Sequence, residues 1–151
     1  AQEQGLFGKD QPRADEYAVD DSFSLVRRRL AYTRFQRQVL ARHRYQCAIC
    51  GTQVREILDA AHISSYAEDK ANRANPANGI CLCKFCHAAF DRGLVAIALD
   101  GSLTISPDLE DEVAAAHFTR ISAETRSAWL QGIESEFLLR RLNDFQEIHR
   151  L

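Results

Sequence analysis

Residues 47–51 read Cys-Ala-Ile-Cys-Gly, and residues 78–93 read Asn-Gly-Ile-Cys-Leu-Cys-Lys-Phe-Cys-His-Ala-Ala-Phe-Asp-Arg-Gly. They contain two Cys-x-x-Cys pairs, Cys47 with Cys50 and Cys83 with Cys86. Two such pairs are the usual way to build a tetrahedral zinc site. Each sits on a tight turn whose backbone aims two thiolates at one ion, at about 2.3 Å per Zn–S bond. One pair alone would leave a redox dithiol or buried free thiols equally open; two pairs in a small chain point to zinc. Four cysteines complete the coordination shell, so such a zinc is structural. It ties Cys47 to Cys86, and its removal is expected to unfold what lies between. Cys81 could substitute for Cys83, but the spacing favours Cys83, and Cys81 reads as a small buried apolar residue.

The segment between the pairs is longer than in a simple zinc ribbon, and function is expected there. It reads Leu58-Asp59-Ala60-Ala61-His62-Ile63, then a polar loop, then Asn75-Pro76-Ala77-Asn78-Gly79-Ile80. Leu58 to Ile63 reads as a strand. Asn78-Gly79 is a turn dipeptide before a short apolar strand, Ile80 to Cys83. His87 and Asp91 are four residues apart, so on a helix they share a face and can reach one ion.

Together, Cys-x-x-Cys, Ala-Ala-His-Ile, Asn-Gly-Ile-Cys-Leu-Cys and Cys-His-x-x-Phe-Asp-x-Gly resemble the HNH endonucleases over about Phe35 to Ile97. The resemblance implies a ββα-metal (His-Me finger) core: a two-stranded hairpin, then a helix, with one divalent ion between them. It makes His62 the general base, His87 a ligand of the catalytic ion, and Asn78 a brace of the hairpin loop that helps orient His62. The chemistry suits these groups. A histidine near neutral pKa can take a proton from water, and one metal can polarise a phosphate and stabilise a leaving 3′ oxygen. The residues by themselves leave other readings open. His62 could be a satisfied strand histidine, His87 a zinc ligand or a packed helix residue, and Asn78 simply a turn residue.

One position departs from the family pattern. Many HNH nucleases place an acidic residue or histidine directly before the base histidine, as a further metal ligand; here that position is Ala61. Asp91 is the candidate replacement, although it could equally serve a hydrogen-bonding role near the helix end with Arg92 and Gly93. Asp59 is a weaker candidate, because three residues before His62 puts it on the opposite strand face. Oxygen-rich coordination with open positions suits Mg²⁺ or Mn²⁺.

Around this core the 151 residues divide into a polar, acidic tail or linker at 1–21 and an expected nuclease domain at 22–151. Ser22 or Ser24 could cap a helix to about Tyr45, with Leu30, Phe35, Val39 and Leu40 on one face. Arg27 to Arg44 holds seven arginines and no acid, either a solvated face or a phosphate-contacting one. Leu94 to Ile105 reads as two strands joined at Asp100-Gly101. The remainder is helical in composition, with Phe137, Leu138, Leu142, Phe145, Ile148 and Trp129 expected in the core. His43, His117 and His149 have no assigned role. The expected fold is therefore α+β, a ββα-metal core with a four-Cys zinc site flanked by N- and C-terminal helices.

The apolar fraction of 46% supports an ordinary core. A net charge of −2 does not mark a nucleic-acid binder overall, so contacts are expected from local cations: Arg34, Arg37, Lys70, Arg73 and Arg92. No apolar run approaches a membrane span, and a cytoplasmic setting, where cysteines stay reduced, is expected. The absence of methionine suggests a processed chain or a domain of a longer protein with an upstream partner domain. The resemblance implies double-stranded DNA as substrate and a restriction or other defence role. A zinc-stabilised nucleic-acid-binding module without activity is the alternative, and a secreted toxin nuclease would keep the chemistry. One ββα site cuts one strand, so double-strand cleavage would call for a homodimer or two successive events.

Overall fold

The computed structural model describes residues 23–150, with side chains from residue 29 onward; the tail expected at 1–21 and the cap at Ser22 lie outside the described residues, while Ser24, the other expected cap, falls inside the first helix. The chain divides between Leu30 and Ala31, and the site lies wholly in the second part. The elements in order are α1 (Phe23–Arg42), β1 (Leu58–His62), β2 (Gly79–Cys83), α2 (Lys84–Asp91), β3 (Val95–Ile97), β4 (Leu103–Ile105), α3 (Glu112–Phe118), α4 (Ala123–Trp129) and α5 (Ser135–His149). Two antiparallel hairpins, β1–β2 and β3–β4, form separate sheets. The protein is thus a mixed α+β fold.

The β1–β2 register pairs Leu58 with Cys83, Ala61 with Ile80 and His62 with Gly79. Alternation along β1 divides its side chains between two helices. Ala60 packs with Phe35 and Val39 of α1, and His62, two residues on, stacks on Phe35. Asp59 and Ala61 point the other way; Ala61 is fully buried in the main core, and Asp59 reaches α2. Gly79 is needed for this packing. Its φ of −118° is ordinary extended backbone, so the Asn78-Gly79 turn expected from sequence is instead a short 3₁₀ turn, Pro76–Asn78, leading into the strand. A Cβ on Gly79 would collide with Val39 and lie 2.8 Å from Phe35 Cζ.

The main core runs from the two cysteine turns through β2 and α2 to β3 and α5. Side-chain caps start α3 (Asp111 accepting from Ala114 N) and α4 (Ser122 accepting from Thr125 N). Several boundaries and burials differ from expectation. The first helix ends at Arg42, because Arg44 and Tyr45 adopt φ of 54° and 53° and turn the chain into the first cysteine knuckle. Leu30 of α1 is exposed; on α5, Ile148 is exposed and Leu142 only partly buried, since that helix buries the face of Phe137, Leu138 and Phe145. Trp129 is half-buried beside Gly51 at the end of α4 and lies outside the core.

Candidate active site and cysteine cluster

The local turns explain how four cysteines meet. Gly51 (φ 81°) closes the first knuckle, with Gly51 N donating to Cys47 O and Cys47 N to Thr52 O, each at 2.9 Å. Ala48 N donates to Cys81 O, docking this knuckle on β2. The second knuckle is the start of α2, where Cys83 caps the helix and its sulfur accepts from Cys86 N. The sulfurs of Cys47, Cys50, Cys83 and Cys86 all lie within 4.8 Å of one another, buried, in an arrangement that could hold a metal ion. Cys50 and Cys83 sulfurs are 3.7 Å apart, matching the edge of about 3.8 Å that a tetrahedron of 2.3 Å Zn–S bonds would have. Hydrogen bonds from Cys47 hold the Cys50 and Cys83 thiols below their ordinary range, while Cys47 and Cys86 are raised. Cys81 stands outside the cluster, and burial pushes its thiol up to about 12.

Sequence reasoning gave no hint of what closes the first knuckle from behind. Arg126 of α4, 2% exposed, donates to the carbonyls of Ala48, Ile49, Gly101 and Ile121 at 2.9–3.3 Å. Burial lowers its pKa, and the neighbouring Cys47 and Cys86 oppose that shift, so the guanidinium sits in the field of the sulfurs.

On the α2 side of the hairpin, His87 is gripped at both ring nitrogens. Nδ1 lies 3.0 Å from Asp59 Oδ2, and Nε2 lies 3.1 Å from Asp91 Oδ2. The bond to Asp91 raises the imidazole to about 9, against burial and with help from Asp59. Burial works against ionisation of Asp91, but His87, then Arg141 and His62, outweigh it and hold the carboxyl below its ordinary range. Asp91 is half-exposed, so water reaches the His87–Asp91 edge. A nitrogen and a carboxylate oxygen that converge there, beside open solvent, suit a hard divalent cation that keeps part of its water shell. Ala61 adds no donor.

His62 sits on the other face of β1. Its ring is stacked on Phe35 (centroids 4.4 Å, 7° between planes) with Tyr66 edge-on at 5.3 Å. Its Nε2 is 2.7 Å from Arg73 O. A carbonyl oxygen only accepts, so Nε2 carries a proton, and in the neutral ring Nδ1 is the nitrogen with the lone pair. Asn78 is fully buried and pins the end of this strand. Its Oδ1 accepts from Ser64 N at 2.7 Å, its Nδ2 donates to Ser64 O and Asn72 O, and its own carbonyl accepts from Ile63 N.

The expected cationic contacts separate into two groups. Arg34, Arg37, Lys70 and Arg92 are exposed. Arg73 lies over the Tyr66 ring and bonds Tyr66 O, so its guanidinium closes its own loop. Arg42, counted in the arginine run, bonds the carbonyls of Pro76 and Gly79 and clamps the turn that carries Asn78. From α5, Arg141 donates to Phe90 O at 2.8 Å and Ile63 O at 3.4 Å, and lies 3.5 Å from Asp91 Oδ1. It bridges the ends of β1 and α2. No local pattern could have shown this, because its partners are 78 and 51 residues away.

Among the described residues no helix is long and apolar enough to cross a membrane. A search of curated proteins returns no match. A family model described as HNH endonuclease matches residues 47–98, which span both cysteine knuckles, the β1–β2 hairpin, α2 and β3. That family consists of phosphodiester hydrolases and implies a nucleic-acid substrate. The knuckles, hairpin and helix gathered around the buried cysteines are accordingly those of an HNH endonuclease domain, which this chain carries at residues 47–98.

Proposed function

We propose that the chain hydrolyses phosphodiester bonds of double-stranded DNA, using one divalent ion, Mg²⁺ or Mn²⁺, held by His87 and Asp91, on a core stapled by a structural zinc at Cys47, Cys50, Cys83 and Cys86. The observation that carries this reading is the pairing of His87 Nε2 and Asp91 Oδ2 at a solvent-open edge, within the span that matches the HNH endonuclease family.

When bound, the ion supplies charge neutralisation at the phosphate and at the departing 3′ oxygen. The rest falls to the chain. The neutral His62 ring, whose Nε2–H is bonded to Arg73 O, takes the proton of the attacking water at Nδ1. The water oxygen bonds to phosphorus, the P–O3′ bond breaks, and the 3′ oxygen is protonated from solvent, leaving a 5′-phosphate and a 3′-hydroxyl. Stacking on Phe35 fixes the His62 ring plane, and Asn78 fixes the backbone that follows it. The phosphate backbone is met by exposed cations, Arg34, Arg37, Lys70 and Arg92. Such contacts position a strand without reading its sequence; target choice would rest on the arginine-rich helix, on the loop cations or on an upstream domain. A restriction or other defence setting, in the cytoplasm, follows from the likeness to HNH nucleases.

One observation favours a second reading, an inactive binding module: Ala61 is buried and offers no ligand. Cleavage of supercoiled plasmid decides between them, run with EDTA, Mg²⁺, Mn²⁺ or Zn²⁺ beside His62→Ala. Metal-dependent nicking that vanishes in folded His62→Ala is the expected result. No cleavage with any metal, from folded and zinc-loaded protein that still binds DNA, overturns the nuclease reading for the binding module.

A further inference from the structure

We infer that Asp59 is a positioning residue: it holds the Nδ1–H of His87 so that Nε2 is presented to the catalytic ion. The inference deepens the reading above and rests on its assignment of that ion to His87 and Asp91.

The two ring nitrogens of an imidazole face opposite edges. Asp91 occupies the Nε2 edge of His87 at 3.1 Å, and Asp59 occupies the Nδ1 edge at 3.0 Å. An ion bound between Nε2 and Asp91 therefore has Asp59 behind the ring, out of the ion's shell. A metal-bound histidine generally donates its other N–H to a carboxylate or carbonyl, which fixes both tautomer and ring orientation. Asp59 is built for that task. It sits mid-strand in β1, opposite Leu82, so the hairpin register sets its position. Its second oxygen accepts from Lys84 Nζ at 2.8 Å, which leaves Oδ2 to His87. Asp59 also shares its strand face with Ala61, the position that gives no ligand. The face nearest α2 thus acts on the ion through His87.

Asp59 is the weaker ligand candidate by spacing because it alternates away from His62. That alternation is what brings it to α2, since the helix covers the face His62 does not use.

The test uses the full zinc-loaded chain, with Mn²⁺ affinity by calorimetry and His87 ring nitrogens by ¹⁵N NMR in Mg²⁺. In Asp59→Asn, Mn²⁺ affinity should fall about 10- to 100-fold and the His87 Nδ1–H tautomer should become a mixture, with zinc content unchanged. Asp59→Glu should restore part of both, which a purely structural role would not produce. Weaker Mn²⁺ binding with an unaltered tautomer would make Asp59 a direct ligand and overturn the inference. Wild-type affinity and tautomer in Asp59→Asn, where His87→Ala loses Mn²⁺, would leave Asp59 idle and overturn it while sparing the ion assignment. Unchanged Mn²⁺ binding in His87→Ala would remove that assignment, and the inference with it.

Discussion

The cysteine cluster and the His87–Asp91 edge share the same short helix, yet they are built on opposite principles. At the N-terminus of α2, Cys83 and Cys86 turn inward and meet Cys47 and Cys50 in a fully buried set of four equal donors. One turn on, His87 and Asp91 face outward, with a nitrogen, one carboxylate and access to water. A closed shell of thiolates can only hold structure, whereas an incomplete shell leaves room for a substrate oxygen. The difference also shows in what supports each. The cluster is backed by Arg126 bonding the knuckle carbonyls, while the open edge is supported through side-chain partners, Asp59 and Arg141.

The sharpest way to break this comparison is to deny the four cysteines the ion they could hold. Structural zinc contributes on the order of 10 kcal/mol to folding, comparable to the whole stability of a domain, roughly 5–15 kcal/mol. A strong chelator, or Cys86→Ala, should abolish the cooperative thermal transition followed by circular dichroism. An unchanged melt in zinc-free protein would mean that the cluster is not structural.

The open edge should behave the other way, losing function without fold. In His62→Ala, plasmid cleavage should fall at least about 100-fold, the lower end of what a general base contributes, while zinc content and the cooperative melt persist. What is lost is the Phe35 stack, the Tyr66 edge contact and the bond to Arg73 O, each on the order of 1 kcal/mol. Retained cleavage would move the base elsewhere.

Asn78 sharpens the comparison because it serves both ends, lying between β1 and the turn that leads to Cys83. Asn78→Ala leaves Ser64 N and O without their buried partner, at a cost of about 3 kcal/mol. That corresponds to roughly 6–12 °C in Tm for a chain of this length, measured by calorimetry, together with weakened cleavage. A change confined to activity would deny it the structural role.

The smallest effect concerns pH in zinc-loaded protein without the second ion. His87 is raised from its ordinary 6.5 to about 9, first by Asp91. A raised histidine adds stability that is full below pH 6.5 and is lost as pH rises through about 9. The melt at pH 6 should therefore exceed that at pH 9.5 by a few degrees, and His87→Gln should narrow the gap. An equal gap in His87→Gln would assign the pH dependence to other groups.

Much of the site could be read in the chain because it is local. Cys-x-x-Cys spacing, the four-residue step from His87 to Asp91 and the alternation of β1 are consequences of backbone geometry over a few residues. The same local logic misjudged Trp129 and Ile148, whose burial depends on which face a distant element covers. It read Asn78-Gly79 as a turn dipeptide, where the glycine answers instead to the bulk of Phe35 and Val39. It took Arg42 for surface charge, where the guanidinium clamps backbone carbonyls.

The sequence by itself determined the two cysteine knuckles, the hairpin and helix between and after them, and the residues able to do phosphoryl chemistry, since donor type and short-range spacing are written in the order of residues. Only the tertiary structure decided which carboxylate stands on which side of His87, which nitrogen of His62 is bonded away, and that Arg126 and Arg141 reach back from the C-terminal helices. Those choices depend on packing between segments up to 78 residues apart, and chain order alone carries no measure of the direction from which a distant helix arrives.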